Sequence, residues 1–230
     1  MSQSLNKVPK NIVSVDAILF DLDGTLVDTA PDFITVLNLQ RLDFGLPPLL
    51  EHAIRDTVSD GARALTALAF GGKEGEEEFE AKRQDLLTRY KNKVGNDAKL
   101  FDGMEKTLRH FENLNIPWGI ITNKPRVYTD ILLSRLKLDQ RSAITLCPDD
   151  VKKPKPDPEV MILASRELNI ELTNTVYVGD HIRDIQAGKA ANMITVAAAY
   201  GYISAENKIS AWGAKHEIHH PSELISLFIG

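Results

Sequence analysis

Two carboxylates, Asp21 and Asp23, stand two residues apart where an apolar run, Ile18-Leu19-Phe20, gives way to Gly24. Side chains at that spacing on an extended backbone point the same way, and Gly24 lets the chain turn sharply behind them. The apolar run reads as the covered centre of a parallel sheet, and such sheets bind ligands at the carboxyl ends of their strands. There, one carboxylate can attack a phosphorus centre while its neighbour handles the proton. An ordinary acidic turn also favours Asp and Gly, so the pair needs further groups before it means chemistry.

Those groups are specified by the reaction. Hydrolysis of a phosphate monoester is slow enough that catalysts accelerate it by up to about 10²¹-fold, roughly 28 kcal/mol. Two aspartates do not supply that. A hydroxyl and backbone donors must hold phosphoryl oxygens, a fixed cation must offset repulsion, and a divalent metal must neutralise charge. Three later segments offer these parts. Trp118-Gly119-Ile120-Ile121 runs into Thr122-Asn123-Lys124-Pro125, a hydroxyl beside a helix start. Val151-Lys152-Lys153-Pro154-Lys155-Pro156-Asp157-Pro158 carries lysines between prolines that restrict the backbone. Val176-Tyr177-Val178-Gly179-Asp180-His181-Ile182-Arg183-Asp184 adds two acids with the hard oxygens that Mg²⁺ prefers. Taken singly, each has a plainer reading: a helix cap, a solvated basic loop, an N-cap aspartate.

The elements that must position these residues follow from hydrophobic patterning. Short apolar runs at 15–20, 118–122, 143–147, 175–179 and 193–199 are strand-like in length, and helix-period segments at 104–114, 126–136, 159–168 and 182–191 alternate with them. This predicts an α/β fold with a Rossmann-like doubly wound parallel sheet. The first gap breaks the rhythm: 29–98 holds no convincing strand and reads as helices at 32–44, 51–69 and 75–94. The expected organisation is therefore a core domain of residues 1–28 and 99–230 with an all-helical cap domain, 29–98, inserted after the first strand. Gly45-Leu46-Pro47-Pro48 and Gly71-Gly72 punctuate the inserted helices as turns.

Composition sets the outer limits. A chain of 230 residues can bury a full core, and a net charge of -5 with interspersed signs argues against a nucleic-acid partner. The sole cysteine, Cys147, excludes a disulfide framework and reads as a small buried hydrophobe rather than a nucleophile. Residues 1–12 are polar and lack the apolar stretch of a signal peptide, and no run reaches membrane-spanning length, so the expectation is a soluble cytoplasmic protein with no membrane partner.

Together, Asp-Leu-Asp-Gly-Thr-Leu-Val-Asp at 21–28, Thr122, the lysine segment and Gly-Asp-His-Ile-Arg-Asp at 179–184 resemble, in order, the four motifs of the haloacid dehalogenase superfamily. The resemblance covers about residues 13–227, cap included. It implies a phosphatase acting on a small phosphate monoester, with Asp21 as the nucleophile that forms an aspartyl-phosphate and Asp23 as general acid and base. Thr122 and the Asn123 backbone would hold phosphoryl oxygens. Mg²⁺ would be the cofactor, on Asp21, the Asp23 carbonyl and Asp180, with Asp184 ligating through water or supporting the lysine. Family members place that lysine before the first Pro-x-Pro, which selects Lys153, with Lys152 and Lys155 as the other choices.

Thr122-Asn123-Lys124-Pro125 and Lys153-Pro154-Lys155-Pro156-Asp157-Pro158 resemble the phosphoglycolate phosphatase branch in particular. Within it, Thr29-Ala30-Pro31-Asp32-Phe33, Ser59-Asp60-Gly61-Ala62-Arg63 and the tail from Tyr200-Gly201-Tyr202-Ile203 to Trp212-Gly213-Ala214 look most like bacterial phosphatases of N-acetylmuramic acid 6-phosphate, which serve cell-wall recycling. The implied substrate is that sugar phosphate, with 2-phosphoglycolate as the alternative. Both carry a carboxylate, which Arg63 in a flexible cap turn is placed to read. A phosphosugar mutase differs only in the fate of the aspartyl-phosphate. A non-catalytic phosphoacceptor module shares the acidic pocket, but neither Asp23 nor the long insert suits it. A dehalogenase needs neither Asp23 nor Asp180. His216, His219 and His220 lack accompanying cysteines or acids and read as surface residues. The chain is expected as a monomer or homodimer.

Overall fold

The computed structural model describes residues 13–204 and 208–229. The readings made on residues 1–12, on 205–207 of the tail and on 230 lie outside the described residues. Ten strands and nine α-helices follow in the order β1 Val13–Ser14, β2 Ala17–Phe20, β3 Val27–Asp28, α1 Ala30–Asp43, α2 Glu51–Arg55, α3 Gly61–Phe70, α4 Glu77–Lys93, β4 Lys99–Leu100, α5 Met104–Asn113, β5 Trp118–Ile121, α6 Arg126–Leu136, β6 Thr145–Leu146, α7 Glu159–Leu168, β7 Thr175–Gly179, α8 Ile182–Ala190, β8 Ile194–Ala198, β9 His216–Ile218, α9 Leu224–Leu227 and β10 Phe228–Ile229 among the described residues.

Six strands form one sheet in the order β6-β5-β2-β7-β8-β9, every neighbouring pair parallel. The apolar runs are continuous because both faces are covered. Alternate residues of β2 go to opposite sides: Ile18 and Phe20 pack with Trp118, Val176 and Leu108, while Leu19 packs with Tyr177, Met161 and Ala187. The expected doubly wound fold is thus present, with β2 at the centre between β5 and β7. No helix among the described residues is long and apolar enough to cross a membrane.

The chain leaves this framework at β3 and returns at β4, and those two short strands pair antiparallel, Val27 with Leu100 and Asp28 with Lys99. Helices α1 to α4 lie between them. The helix expected over 51–69 is divided: α2 ends at Arg55, a 3-10 turn covers Val58–Asp60, and Gly61 takes φ +86° before α3. A residue with a side chain rarely adopts that angle, so Gly61 fixes where the 3-10 turn gives way to α3. The strand expected over 143–147 shrinks to two residues at one sheet edge, and β9, which carries His216, adds a three-residue strand at the other edge that the hydrophobic pattern does not predict.

The exit and return of the insert are joined by Asp32, fully buried in the first turn of α1. Its carboxylate accepts the backbone N–H of Gly95 at 2.6 Å and of Asp97 at 2.9 Å. Asp32→Ala leaves two amides without their acceptor and is expected to lower the unfolding free energy by about 2–4 kcal/mol in urea denaturation. A loss below about 0.5 kcal/mol, the range of an ordinary surface change, contradicts this anchoring role.

Candidate active site

The strand order β5-β2-β7 lays three of the four sequence motifs side by side at one sheet edge, and the loop before α7 brings the fourth over them. Asp21 follows β2 directly, its N–H donating to Val178 O at 2.8 Å as one last rung of the ladder. Asp180 follows β7, and Asp184 lies in the first turn of α8, where its carboxylate accepts His181 N–H at 3.1 Å. Close packing makes the approach possible: a Cβ at Gly179 would fall 2.3 Å from Asp184 Cβ, and one at Gly24, whose φ is +80°, would fall 2.1 Å from Asp180 Oδ2. Asp21, Asp180 and Asp184 each place an oxygen within 4.8 Å of the others.

The cation at the centre of this cluster is Lys155, not Lys153. Lys155 Nζ donates to Asp21 Oδ1 at 2.8 Å, Asp184 Oδ1 at 2.7 Å, Ile121 O at 2.9 Å and Tyr177 Oη at 2.6 Å. Backbone control decides which lysine turns inward. Asn123 clamps the Lys155 backbone from both sides, Nδ2 donating to Lys155 O at 2.9 Å and Oδ1 accepting Lys155 N–H at 3.1 Å. Lys152 and Lys153 instead give their N–H groups to the Glu159 carboxylate, and the Lys153 side chain, 74% exposed, reaches only Asp157 at 3.8 Å. Asp184 therefore supports Lys155.

Electrostatics divide the site in two. Burial alone would lower the Lys155 pKa, but the charges of Asp184 and Asp21 and their hydrogen bonds carry it above the usual lysine value. Burial raises the Asp21 carboxyl, with Lys155 opposing the rise. Burial, then the charges of Asp21 and Asp184, push Asp180 well above the carboxylate range. Its partners are neutral: Thr25 Oγ1 at 3.1 Å, Ser59 Oγ at 3.0 Å and Tyr202 N at 2.9 Å. Three buried acids with one ammonium leave a surplus of negative charge, and this hard-oxygen set fits a divalent cation.

The carboxylate of Asp23 stands apart from that group. Its Oδ1 accepts Thr29 Oγ1 at 2.5 Å and Lys124 Nζ at 2.8 Å, and Lys124 also donates to Tyr90 Oη at 2.7 Å. Burial and the nearby charge of Asp23 keep the Tyr90 phenol protonated well beyond its usual pKa. Thr122 is buried, its Oγ1 accepting Lys124 N–H at 3.0 Å, so the hydroxyl proton remains to be donated.

A cavity of about 530 Å³ opens above Asp21 and Asp23, between the sheet edge and the insert, and Thr122, Asn123 and Arg63 line it. Arg63 is at its rim, 60% exposed and paired with Glu74 at 2.6 Å. Sequence reasoning assigned no role to Lys124, Tyr90, Arg83 or Arg183, which line the same cavity. Lys124 was visible only as part of the Thr-Asn-Lys-Pro run; Tyr90 and Arg83 belong to a helix whose register over the site is a tertiary property. The 3-10 turn at Val58–Asp60 touches the core through Ser59 on Asp180, Ser59 O on Arg183 and Asp60 on His181 Nε2 at 3.2 Å.

The residues set aside behave accordingly. Cys147 is buried and burial pushes its thiol up to about 11, so it carries no thiolate. Of the histidines expected at the surface, only His219 is well exposed. His216 is half-buried in β9, and His220 caps a 3-10 turn by accepting Ser222 N–H at 3.2 Å.

Lys155→Met removes the ammonium from among three buried acids and is expected to destabilise the fold by about 3–5 kcal/mol in urea, part of it recovered by millimolar Mg²⁺. Lys153→Met is expected to stay within about 0.5 kcal/mol. Equal small effects of the two substitutions contradict the assignment.

The description "Haloacid dehalogenase-like hydrolase" matches residues 18–198. An N-acetylmuramic acid 6-phosphate phosphatase of Pseudomonas putida is 44% identical over 90% of this chain and 93% of its own length. A phosphoglycolate phosphatase of Xanthomonas campestris is 38% identical over 90% of this chain and 94% of its own. The crystal structure of a predicted phosphoglycolate phosphatase from Haemophilus somnus superposes with a TM-score of 0.81 at 23% identity, covering 92% of this chain and 96% of that one, and shows the same fold. With its four motifs assembled at one sheet edge and the match running from β2 to the end of β8, five of the six strands of the sheet, this chain belongs to the haloacid dehalogenase-like hydrolase family.

Proposed function

We propose that the chain is a Mg²⁺-dependent phosphatase that hydrolyses N-acetylmuramic acid 6-phosphate through an aspartyl-phosphate on Asp21, with residues 29–98 acting as a cap domain. The observation that carries the reading is Asp21 held 2.8 Å from the Lys155 ammonium at the floor of a cavity of about 530 Å³. In the first half-reaction an Asp21 oxygen bonds to phosphorus and the ester oxygen leaves as Asp23 gives it a proton. In the second, Asp23 takes a proton from the water that attacks the phosphoryl group, releasing inorganic phosphate and restoring Asp21. Lys155 offsets the charge of Asp21 and the incoming phosphate, and the Thr122 hydroxyl and the Asn123 N–H hold phosphoryl oxygens. Asp21, Asp180 and the Asp23 carbonyl would hold Mg²⁺, with Asp184 behind them; the ion would neutralise phosphoryl charge as a Lewis acid.

The cavity favours the larger of the two substrates that the relatives' names suggest. Its volume falls in the range of sites for drug-sized ligands, far more than a two-carbon acid phosphate fills. Val58, Leu87 and Tyr128 offer apolar surface for a sugar ring and its N-acetyl and lactyl groups, and Arg63, Arg83 and Arg183 offer cations for the lactyl carboxylate. This reading agrees with the Pseudomonas putida relative.

The test is phosphate release with Mg²⁺ from N-acetylmuramic acid 6-phosphate, 2-phosphoglycolate and glucose 6-phosphate, compared by kcat/KM. A preference of at least about tenfold for the muramic sugar is expected, since 2-phosphoglycolate lacks the ring and N-acetyl surface that the apolar wall would cover and glucose 6-phosphate lacks the carboxylate, each difference being worth about that much; preference for 2-phosphoglycolate contradicts the substrate, and no turnover contradicts the reaction. Asp21→Asn is expected to abolish release, EDTA to silence the enzyme, and Ca²⁺, with its longer and looser coordination, to restore little.

A further inference from the structure

Lys124 is a lysine that the catalytic scheme above does not use, yet it is held as firmly as a catalytic group. Its side chain is 6% exposed and rests on the loop that follows β5. The ammonium lies 4.7 Å from the centroid of the Tyr90 ring and 5.3 Å from that of Phe33, and those two rings stack on each other at 3.9 Å. Phe33 belongs to α1 and Tyr90 to α4, so the cation of a core loop is enclosed by two helices of the insert. An ammonium is buried in this way only against compensating partners. Among the described residues those with hydrogen bonds to Nζ are Asp23 Oδ1 at 2.8 Å and Tyr90 Oη at 2.7 Å.

The pattern of donors on Asp23 gives this bridge a consequence. Thr29 Oγ1 and Lys124 Nζ both converge on Oδ1, and no donor from the described residues reaches Oδ2. The oxygen available to exchange a proton with a bound ester is therefore Oδ2, and its direction is set by the two donors on the other oxygen. One of those donors is itself braced by the insert, through the Tyr90 hydroxyl. We infer that Lys124 is a positioning residue: it orients the Asp23 carboxylate for proton transfer and, through Tyr90, makes that orientation depend on α4 being seated over the site. Proton transfer is thereby favoured only while α4 stays seated over the cavity, as it is here. The inference rests on the phosphatase reading for its kinetic consequence, whereas the strut between Asp23 and α4 stands on the distances alone.

Lys124→Met keeps the stem and removes the charge, Tyr90→Phe removes one hydroxyl and keeps the ring stack, and the double variant tests their dependence. With N-acetylmuramic acid 6-phosphate, Lys124→Met is expected to lower kcat by about tenfold to a hundredfold, the range of a mispositioned acid/base, with KM little changed. Tyr90→Phe is expected to lower kcat several-fold, and the double variant to be no worse than Lys124→Met, because both changes cut one strut. Lys124→Arg, which keeps the charge and can still reach both oxygens, is expected to recover part of kcat. In the full chain without substrate, amide hydrogen exchange over residues 84–94 is expected to quicken in Lys124→Met and Tyr90→Phe alike.

If the wild type turns over a phosphate monoester while both single variants keep its kcat, the inference is overturned and the phosphatase reading survives. A raised KM at constant kcat makes Lys124 a substrate binder and overturns the positioning role. Losses that multiply in the double variant overturn the coupling. If the wild type turns over no phosphate monoester, the phosphatase reading is lost, and unchanged exchange in α4 then removes the strut as well. Tyr90→Phe deletes a single oxygen and keeps these outcomes readable even where Lys124→Met folds poorly.

Discussion

One ammonium buried among three carboxylates governs this molecule. Neither Lys155 nor the acids around it would be tolerated alone at that depth, since an unpaired buried charge costs several kcal/mol. Each must therefore be placed with the others, and much of the local sequence serves that placement. Asn123 fixes the Lys155 backbone, Gly179 admits Asp184 to the end of β7, and Gly24 admits Asp180 beneath the turn after β2. The sheet order β5-β2-β7 brings Thr122, Asp21 and Asp180 to adjacent strand ends. The negative charge left uncompensated is what a divalent cation would neutralise before an anionic phosphate could enter.

The insert completes the site from the other side, and it does so with polar contacts at two points. Near Asp180 the turn at Val58–Asp60 supplies Ser59 and Asp60 to Asp180, Arg183 and His181. Near Asp23 the α4 helix supplies Tyr90 to Lys124. Gly61 makes the first of these possible, since its positive φ ends the 3-10 turn and starts α3 in a new direction. Between the two points lies the cavity, with apolar walls and arginines at its edge. Of the two, the contact at Lys124 and Tyr90 is buried and that of Asp60 with His181 is exposed, so the insert is held more firmly over Asp23 than at its outer edge.

What could be read from the chain alone was what short-range patterning controls. The central strands β2, β5 and β7 are continuous apolar runs because both faces are covered, and the Asp21–Asp23 pair, Thr122 and Asp180 were legible as the residues that end them. Where a long-range contact decides between neighbours, the sequence is silent. Three lysines stand among the prolines of 151–158, and the choice of Lys155 is made by Asn123, 32 residues earlier, and by Glu159, which holds the backbone of the other two. The break at Gly61 was hidden by an uninterrupted helical period, and β9 by its length of three residues at an edge. Arg63 was expected in a flexible turn but lies in the first turn of α3, and Arg83 and Lys124 line the same cavity from positions that only the packing of α4 on the core defines.

Phosphorylation of Asp21 during turnover is the step on which the proposed hydrolysis depends. The most direct test is to quench the enzyme during steady-state hydrolysis of N-acetylmuramic acid 6-phosphate, reduce the acyl phosphate with borohydride and sequence the peptide spanning residues 13–28 by mass spectrometry. Conversion of Asp21 to homoserine, with Asp23 and Asp28 unchanged, is the predicted result. Active turnover with no reduced residue at 21, or with the modification on another carboxylate, contradicts the account.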